Sequence, residues 1–205
     1  MKKIIDKDTW NRKELFNYYD GVTNPFLYLT TTIEITNLYK YVKDNNLPFY
    51  PTFGYYITKA LNQIDGFKYR KEGSDIAYYD TLNTNFTDNV NGERIFFFTV
   101  PFSDDFNKFL DDYKVIKEKY FKNEVTDINY QNNEVWLSCA PWMKITGLIT
   151  PYNKDNSIPQ VIWDKFEFDG DKVKINMVIM VHHGFVDGFQ IGKFISLLTD
   201  SINCL

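Results

Sequence analysis

The residues best suited to chemistry stand close together near the C-terminal end of the sequence, in the stretch VHHGFVDGFQIGKF (181–194). His182 and His183 are the only two histidines, and Asp187 follows the second of them by four positions. An imidazole titrates near neutral pH, so a histidine in a pocket can take the proton of an attacking hydroxyl as a general base. We therefore interpret this stretch as a candidate catalytic segment.

The position of the two histidines at the end of an apolar, β-branched run predicts which of them is the base. Alternate residues of a strand point to opposite faces. In the extended run that ends at Val181, His183 continues the face of Val181, and His182 points to the other face. At most one histidine can therefore enter any one pocket, and the hypothesis is that His183 is the general base.

Simpler interpretations of the same residues remain open at this point. A histidine at a strand end can be a hydrogen-bonded core residue, and Asp187 with Gln190 fits the capping box of a helix that starts here. Zinc is disfavoured, because adjacent histidines on a strand point apart and no cysteine or further histidine is available to complete a site. We expect no metal. A serine nucleophile has weaker support, since no G-x-S-x-G elbow is present.

Composition restricts the class of protein. The 205 residues are 44% hydrophobic and 18% aromatic, and the net charge of −4 comes from acidic and basic residues mixed along the chain. No basic stripe points to a nucleic-acid partner. Cys139 and Cys204 have neither metal nor redox spacing, which is typical of reduced thiols in a cytoplasmic protein. We also expect no signal peptide, because the N-terminal stretch has no apolar core, and no membrane span.

Hydrophobic periodicity predicts one α+β domain over residues 1–205, with a large, mostly antiparallel or mixed sheet covered by helices. A DGD turn at 169–171 predicts a hairpin. The expected elements are a helix over 8–18 capped by Asp8 or Thr9, a strand over 27–35, a helix capped by Thr36, a helix over 50–64, a strand over 94–100 buried on both faces, a helix over 103–120 with acids in its first turn, a strand over 134–140 and a helix over 188–202.

The His-His-x-x-x-Asp-Gly pattern resembles the signature of coenzyme A-dependent acyltransferases, which several families share. Further stretches resemble one of these, the chloramphenicol acetyltransferase family. WNRKELF (10–16) is similar to its N-terminal segment, and CAPW (139–142) to its Pro-Trp after a strand. IEITNL (33–38) and FYPTFGYYITKALNQIDGF (49–67) together resemble its strand-then-helix segment. The likeness runs in one order over essentially the whole chain, and family members have about this length.

The resemblance implies a homotrimer whose active sites lie at subunit interfaces. By residue match, His183 is the base, and Asp187 forms an ion pair with Arg12 that supports the catalytic loop without relaying charge. Acetyl-CoA is then a co-substrate, not a tightly bound cofactor. Its acetyl group passes within a ternary complex to a hydroxyl of chloramphenicol or a similar small molecule. Antibiotic resistance is the biological role associated with that activity.

Two positions depart from the family pattern on the side where the oxyanion forms. Counting from Pro141 and Trp142, Gly147 takes the place of a family serine, with Thr146 just before it, and Ile162 stands where the family has a threonine. Thr146, a main-chain N–H or a water is then left as the oxyanion donor. Two hypotheses remain: an O-acetyltransferase for chloramphenicol or another alcohol, and a non-catalytic or altered-specificity binding protein that retains the fold.

Overall fold

The protein is described from a computed structural model of the chain. The structure describes residues 1–90, 92–122, 124–125, 130–151 and 153–205. None of the helices in these ranges combines the length and apolar character needed to cross a bilayer. Over the same ranges, no group of three or more histidine, cysteine, aspartate or glutamate side chains is arranged to hold a metal ion.

Within the described ranges the chain forms ten strands and five α-helices. In chain order they are β1 (Lys2–Ile4), α1 (Lys13–Asp20), β2 (Phe26–Glu34), α2 (Thr36–Asp44), α3 (Phe49–Leu61), β3 (Tyr69–Glu72), β4 (Asp75–Tyr79), β5 (Asn83–Val90), β6 (Arg94–Val100), α4 (Phe106–Phe121), β7 (Glu134–Ala140), β8 (Gln160–Asp164), β9 (Glu167–Asp169), β10 (Lys172–His182) and α5 (Gly188–Asn203).

The described strands make one small and one large sheet. β1, β4 and β3 form a three-stranded sheet, and the seven-stranded sheet has the order β2-β10-β8-β7-β5-β6, with β9 also paired to β10. β7 runs parallel to both β5 and β8, while β10 is antiparallel to β2, β8 and β9. The predicted α+β fold with a mixed, mostly antiparallel sheet is therefore confirmed.

The helices cover the large sheet through apolar stripes at helical spacing. One stripe runs along α3 and just past its end, and another follows α5, so these helices pack together with one face of β10 in a common core. Each fully buried large aliphatic or aromatic side chain contributes roughly 1.5–3 kcal/mol. The buried members are Phe53, Ile57, Ala60, Leu61 and Ile64, then Ile191, Phe194, Leu198 and Ile202, and on β10 Val173, Ile175, Met177, Ile179 and Val181.

The hairpin predicted around residues 169–171 is present. Asp169 pairs with Lys172, and Gly170 between them has a φ of 57°, a left-handed conformation that glycine adopts without strain. β10 thus begins at a tight turn and then runs between β2 and β8 in the interior of the sheet. Its C-terminal end carries the two histidines.

The first helix starts later than the sequence pattern predicted. Instead of beginning at residue 8 with a cap at Asp8 or Thr9, α1 begins at Lys13. The carboxylate of Asp6 accepts the N–H of Asp8 at 3.0 Å and the hydroxyl of Thr9 at 3.2 Å, which holds these residues in a turn. The N-cap position falls to Arg12, whose side chain makes no capping bond and reaches elsewhere.

The predicted cap of the second helix was also wrong. Ile35 occupies the N-cap position, and Thr36 is the first residue of α2. The Thr36 hydroxyl donates to Glu34 at 3.1 Å and accepts the N–H of Val173 at 3.0 Å, so it ties the helix start to the sheet. The competing partner on the neighbouring strand explains why this threonine does not cap its own helix.

Two details of the predicted β6 and α4 were wrong as well. β6 is buried on one face only: Phe96 and Phe98 lie in the core, while Ile95 is 65% exposed. α4 has no acid in its first turn, because it starts at Phe106 and the acids precede it; Asp105 is the N-cap and accepts the N–H of Lys108 at 3.1 Å.

Candidate active site

His183 lies immediately beyond β10, where the sheet still holds its main chain. β10 ends at His182, which pairs with Phe26 of β2, and the N–H of His183 donates to the carbonyl of Pro25 at 2.8 Å. The chain then turns over three residues before Asp187 starts α5. The main chain of His183 is thus held by its hydrogen bond to the residue before β2 and by the short loop that follows it.

The ring of His183 is oriented by two contacts. Its Nδ1 lies 3.2 Å from the carbonyl oxygen of Val186. A carbonyl only accepts, so this contact places the proton on Nδ1 and leaves the Nε2 lone pair available. The ring of Tyr19 stacks on the imidazole, with centroids 4.2 Å apart and planes 20° from parallel. The imidazole is therefore held in the tautomer that a general base needs at Nε2.

His182 has a different environment, as strand alternation predicted. His182 is only 1% exposed, and its ring packs against Phe16, Phe26 and Phe185. The N–H of Gly184 donates to its Nδ1 at 3.2 Å. Burial lowers the pKa of His182 to about 4, so the ring stays neutral at physiological pH. This histidine packs against the inner side of the loop and is shielded from solvent.

Gly184 is required by close packing at the turn. A Cβ at this position would lie 3.0 Å from the Cα of Phe16 and 3.1 Å from the ring of His182. The loop between the strand and α5 therefore presses against the N-terminal helix α1. That contact brings the two ends of the chain together at the site.

Asp187 combines the two roles that the sequence left open. Its Oδ1 accepts the N–H groups of Phe189 and Gln190 at 3.0 and 3.2 Å, and the Gln190 side chain returns a bond to the Asp187 N–H at 3.0 Å. Its Oδ2 accepts Nη2 of Arg12 at 3.1 Å. Helix cap and ion pair thus use different oxygens of one carboxylate.

The charges around Asp187 keep it ionised. Burial acts to raise its pKa, but the Gln190 N–H and the Arg12 guanidinium outweigh that effect, and the pKa lies below its ordinary value. Nε of Arg12 also donates to the carbonyl of Gly184 at 3.3 Å. Arg12 therefore binds the loop at both Gly184 and Asp187. These two contacts lie on either side of Val186, whose carbonyl orients His183.

The predicted oxyanion-side residues lie away from the histidine loop. Thr146 and Gly147 line a cavity of about 820 Å³, and Ile162 of β8 lines it too. A smaller cavity of about 220 Å³ shares Thr87, Ser138 and Ile162 with it. The two cavities are therefore adjacent at Ile162, a place that we call the cavity junction.

Within one chain, His183 is too far from this junction to act there. Val178 is the register partner of Ile162, and His183 stands five residues beyond Val178, just past the end of β10. At about 3.3 Å per residue, that separation is about 16 Å. A base must come within about 3 Å of the proton that it removes. The structure thus brings together His183, Asp187 and Arg12, but not these residues with Thr146, Gly147 and Ile162.

The fold and the loop geometry can now be set beside known proteins. The sequence profile of the family described as chloramphenicol acetyltransferase matches residues 2–199. A chloramphenicol acetyltransferase of Staphylococcus aureus is 30% identical over 96% of this chain and 93% of its own length. The chain belongs to the chloramphenicol acetyltransferase family. It is therefore an acyltransferase.

Further relatives agree with that assignment. Chloramphenicol acetyltransferase 3 of Escherichia coli is 28% identical over 97% of this chain and 96% of its own length. A solved chloramphenicol acetyltransferase structure superimposes with a TM-score of 0.86 at 23% identity, covering 98% of this chain and all of that one. At that identity the superposition supports the fold alone. The family resemblance seen in the sequence is confirmed.

Sequence reasoning missed two parts of this acetyltransferase site. Tyr19 stands seven residues after Arg12, the N-cap residue of α1, which is about two helical turns, and both side chains contact the loop. That spacing was a usable signal. The Val186 carbonyl that orients His183 left no signal, because a main-chain acceptor carries no mark in the residue type.

Proposed function

We propose that this protein transfers the acetyl group of acetyl-CoA to a hydroxyl of chloramphenicol, with His183 as the general base. The observation that carries the proposal is the fixed tautomer of His183: its Nδ1 faces the Val186 carbonyl at 3.2 Å, which leaves Nε2 to accept a proton. Membership of the acetyltransferase family supports the substrates. Acetyl-CoA serves as a co-substrate, and no tightly bound cofactor takes part.

In this mechanism His183 transfers the proton, and Arg12 and Asp187 support the loop that carries it. Nε2 of His183 takes the proton of the acceptor hydroxyl as its oxygen attacks the thioester carbonyl. The tetrahedral oxyanion then collapses, the carbon–sulfur bond breaks, and the imidazolium returns its proton to the leaving thiolate. The products are an acetyl ester and free coenzyme A. Arg12 and Asp187 keep the loop in place and exchange no proton.

The site is proposed to be completed by a second copy of the chain, in a homotrimer. The separation of about 16 Å between His183 and the level of Ile162 supports this, because no motion of one side chain spans it. A closed ring of three copies would let each His183 face the cavity junction of its neighbour. The neighbour then contributes Thr146, Gly147 and Ile162.

The oxyanion side is where this chain differs from the family pattern. Gly147 has no hydroxyl, and Ile162 cannot hold a water by hydrogen bonding. Thr146 is exposed at the cavity and is the remaining side-chain hydroxyl among these three positions. Losing one oxyanion donor typically costs about 100- to 1000-fold in turnover. We therefore expect slower acetylation of chloramphenicol than a member with both hydroxyls would achieve, through kcat more than KM.

The alternative of a non-catalytic or altered-specificity binding protein has less support. A protein that had lost turnover would be under no need to keep His183, Asp187 and Arg12 in one bonded loop. We also propose that the enzyme works in the cytoplasm, consistent with two widely separated cysteines. Consumption of chloramphenicol there would confer antibiotic resistance.

The test is a thiol-release assay with acetyl-CoA and a panel of hydroxylated acceptors that includes chloramphenicol. We expect acetylation of chloramphenicol by the parent and its loss in His183→Ala. His182→Ala is the matched control: it should lower stability but retain turnover at temperatures where it is folded. A parent that releases no thiol with any acceptor, or His183→Ala with parental rates, would refute the proposal.

A further inference from the structure

Asp164 is a buried carboxylate outside the histidine loop. Asp164 ends β8, and its side chain is fully shielded from solvent. Its Oδ2 accepts the N–H of Ile145 at 3.0 Å and lies 3.1 Å from Nζ of Lys144. Its Oδ1 accepts the N–H of Asn176 at 2.7 Å. Burying a charge is costly unless every lone pair is engaged, and here both oxygens are.

Asn176 completes the arrangement from the neighbouring strand. Its amide Nδ2 donates to the carbonyl of Ile145 at 2.9 Å, and its Oδ1 accepts the hydroxyl of Thr32 at 2.8 Å. Both main-chain polar groups of Ile145 are therefore bonded to side chains of β8 and β10. We call Asp164 and Asn176 the Ile145 clamp. It fixes one residue of a connection that has no regular secondary structure of its own.

The clamp lies next to the cavity junction. Thr146 and Gly147 directly follow the clamped residue and line the cavity of about 820 Å³. Asp164 stands two residues after Ile162 on the same strand, so both side chains point to the same face at a spacing of about 7 Å. Farther on, the Thr150 hydroxyl contacts Sδ of Met180 at 3.2 Å. The segment therefore runs along β10 between two fixed points.

We infer that Asp164 and Asn176 are positioning residues for acyl transfer, which hold the Thr146–Gly147 segment against the reacting acyl group. The inference rests on the proposed function. Gly147 offers only main-chain atoms, and a Cβ there would meet nothing within 4 Å, so no side chain of its own fixes it in place. Its position depends on the anchored residue two places before it. A displacement of about 1 Å in an active site can cost about 100-fold in rate.

The experiment compares two clamp variants with a neighbour. Asp164→Asn replaces one acceptor oxygen by an amide that faces an N–H. Asn176→Ala removes the bond to the Ile145 carbonyl together with the bond from the Thr32 hydroxyl, and leaves Asp164 unchanged. Glu167→Gln is the matched control, because Glu167 reaches the same Lys144 at 2.9 Å but touches no main chain of the segment. Steady-state kinetics with acetyl-CoA and chloramphenicol are measured on folded protein, together with urea unfolding.

For both clamp variants we expect kcat to fall about 10- to 100-fold while KM for either substrate changes less than about threefold. Glu167→Gln should match the parent. Clamp variants with parental kcat, or with raised KM and unchanged kcat, would overturn the inference. If Asp164→Asn fails to fold, Asn176→Ala decides alone, because it leaves the charge pair intact. An inactive parent would refute the proposed function, whereas an active parent with equally active variants refutes only the clamp.

Discussion

Replacing Asp187 by asparagine separates the two roles of this carboxylate, as the cap of α5 and as the partner of Arg12. Asparagine caps a helix about as well as aspartate, so the bonds to the α5 N–H groups survive while the charge is lost. The Arg12 side chain is 18% exposed and that of Asp187 32%. An exposed pair contributes about 0–1 kcal/mol, and breaking a buried pair costs about 3–5 kcal/mol. For this half-buried pair we expect Asp187→Asn to cost about 1–2 kcal/mol.

Asp187→Ala also removes the cap and should cost about 1 kcal/mol more. Because Arg12 grips the loop that orients His183, both substitutions should lower kcat as well as stability. Urea unfolding of Asp187→Asn, Arg12→Ala and the double variant gives the coupling energy, which we expect to be about 1–2 kcal/mol.

A matched control lies close by in the chain. Lys13 and Asp8 form an ion pair at 2.7 Å, but the Asp8 side chain is 87% exposed, so the same cycle on that pair should show no measurable coupling. If Arg12 and Asp187 behave like Lys13 and Asp8, the ion pair does not hold the loop. Asp187 would then be a helix cap only, and the account of a gripped catalytic loop would be wrong.

Three further predictions follow from the site. Two inactive variants, His183→Ala and the cavity-blocking Ile162→Arg, should regain about one quarter of parental activity when they are mixed randomly into trimers. One interface in four then pairs an intact histidine with an intact cavity. No recovery would exclude a site shared between subunits. Burial holds the pKa of His182 near 4 against 6.5 in the unfolded chain. The folded protein therefore keeps its full free energy of unfolding above pH 6.5, and protonation of His182 in the unfolded chain lowers it by up to about 3 kcal/mol as pH falls towards 4. His182→Phe should remove this pH dependence, as measured by urea unfolding at each pH. Gly147→Ser with Ile162→Thr should raise kcat on chloramphenicol about 10-fold; an unchanged rate would mean that another donor already serves the oxyanion.

Local patterns predicted much of this architecture, and the reasons are physical. Helical stripes and the turn around Gly170 depend on residues that are close in sequence, so their signals survive without the tertiary structure. Strand alternation separated His182 from His183 for the same reason. The start of α1 was wrong because a single upstream carboxylate, Asp6, competes for N–H and hydroxyl donors, and several nearby polar residues could have played that part.

The contacts that organise the site could not be predicted in the same way. The Ile145 clamp joins residues of three separate segments, and nothing in the residue type of Ile145 signals that its main chain is bonded on both sides. The pairing of Arg12 with Asp187 spans 175 positions. It was expected only through the family resemblance, since composition and spacing give no way to choose among the other arginines and aspartates.

The interior position of β10 has a consequence for biosynthesis. β2, β8 and β9 all precede this strand in the chain, and all three pair with it. A nascent polypeptide therefore emerges from the ribosome with the edges of β2 and β8 unpaired, and the sheet can close only after β10 has been translated. Exposed strand edges promote association between incomplete chains, and such late, long-range closure folds slowly. Premature termination between codons 183 and 187 would remove Asp187 and α5 and leave β10 without the helix that packs on its buried face, a product suited to degradation by cellular proteases.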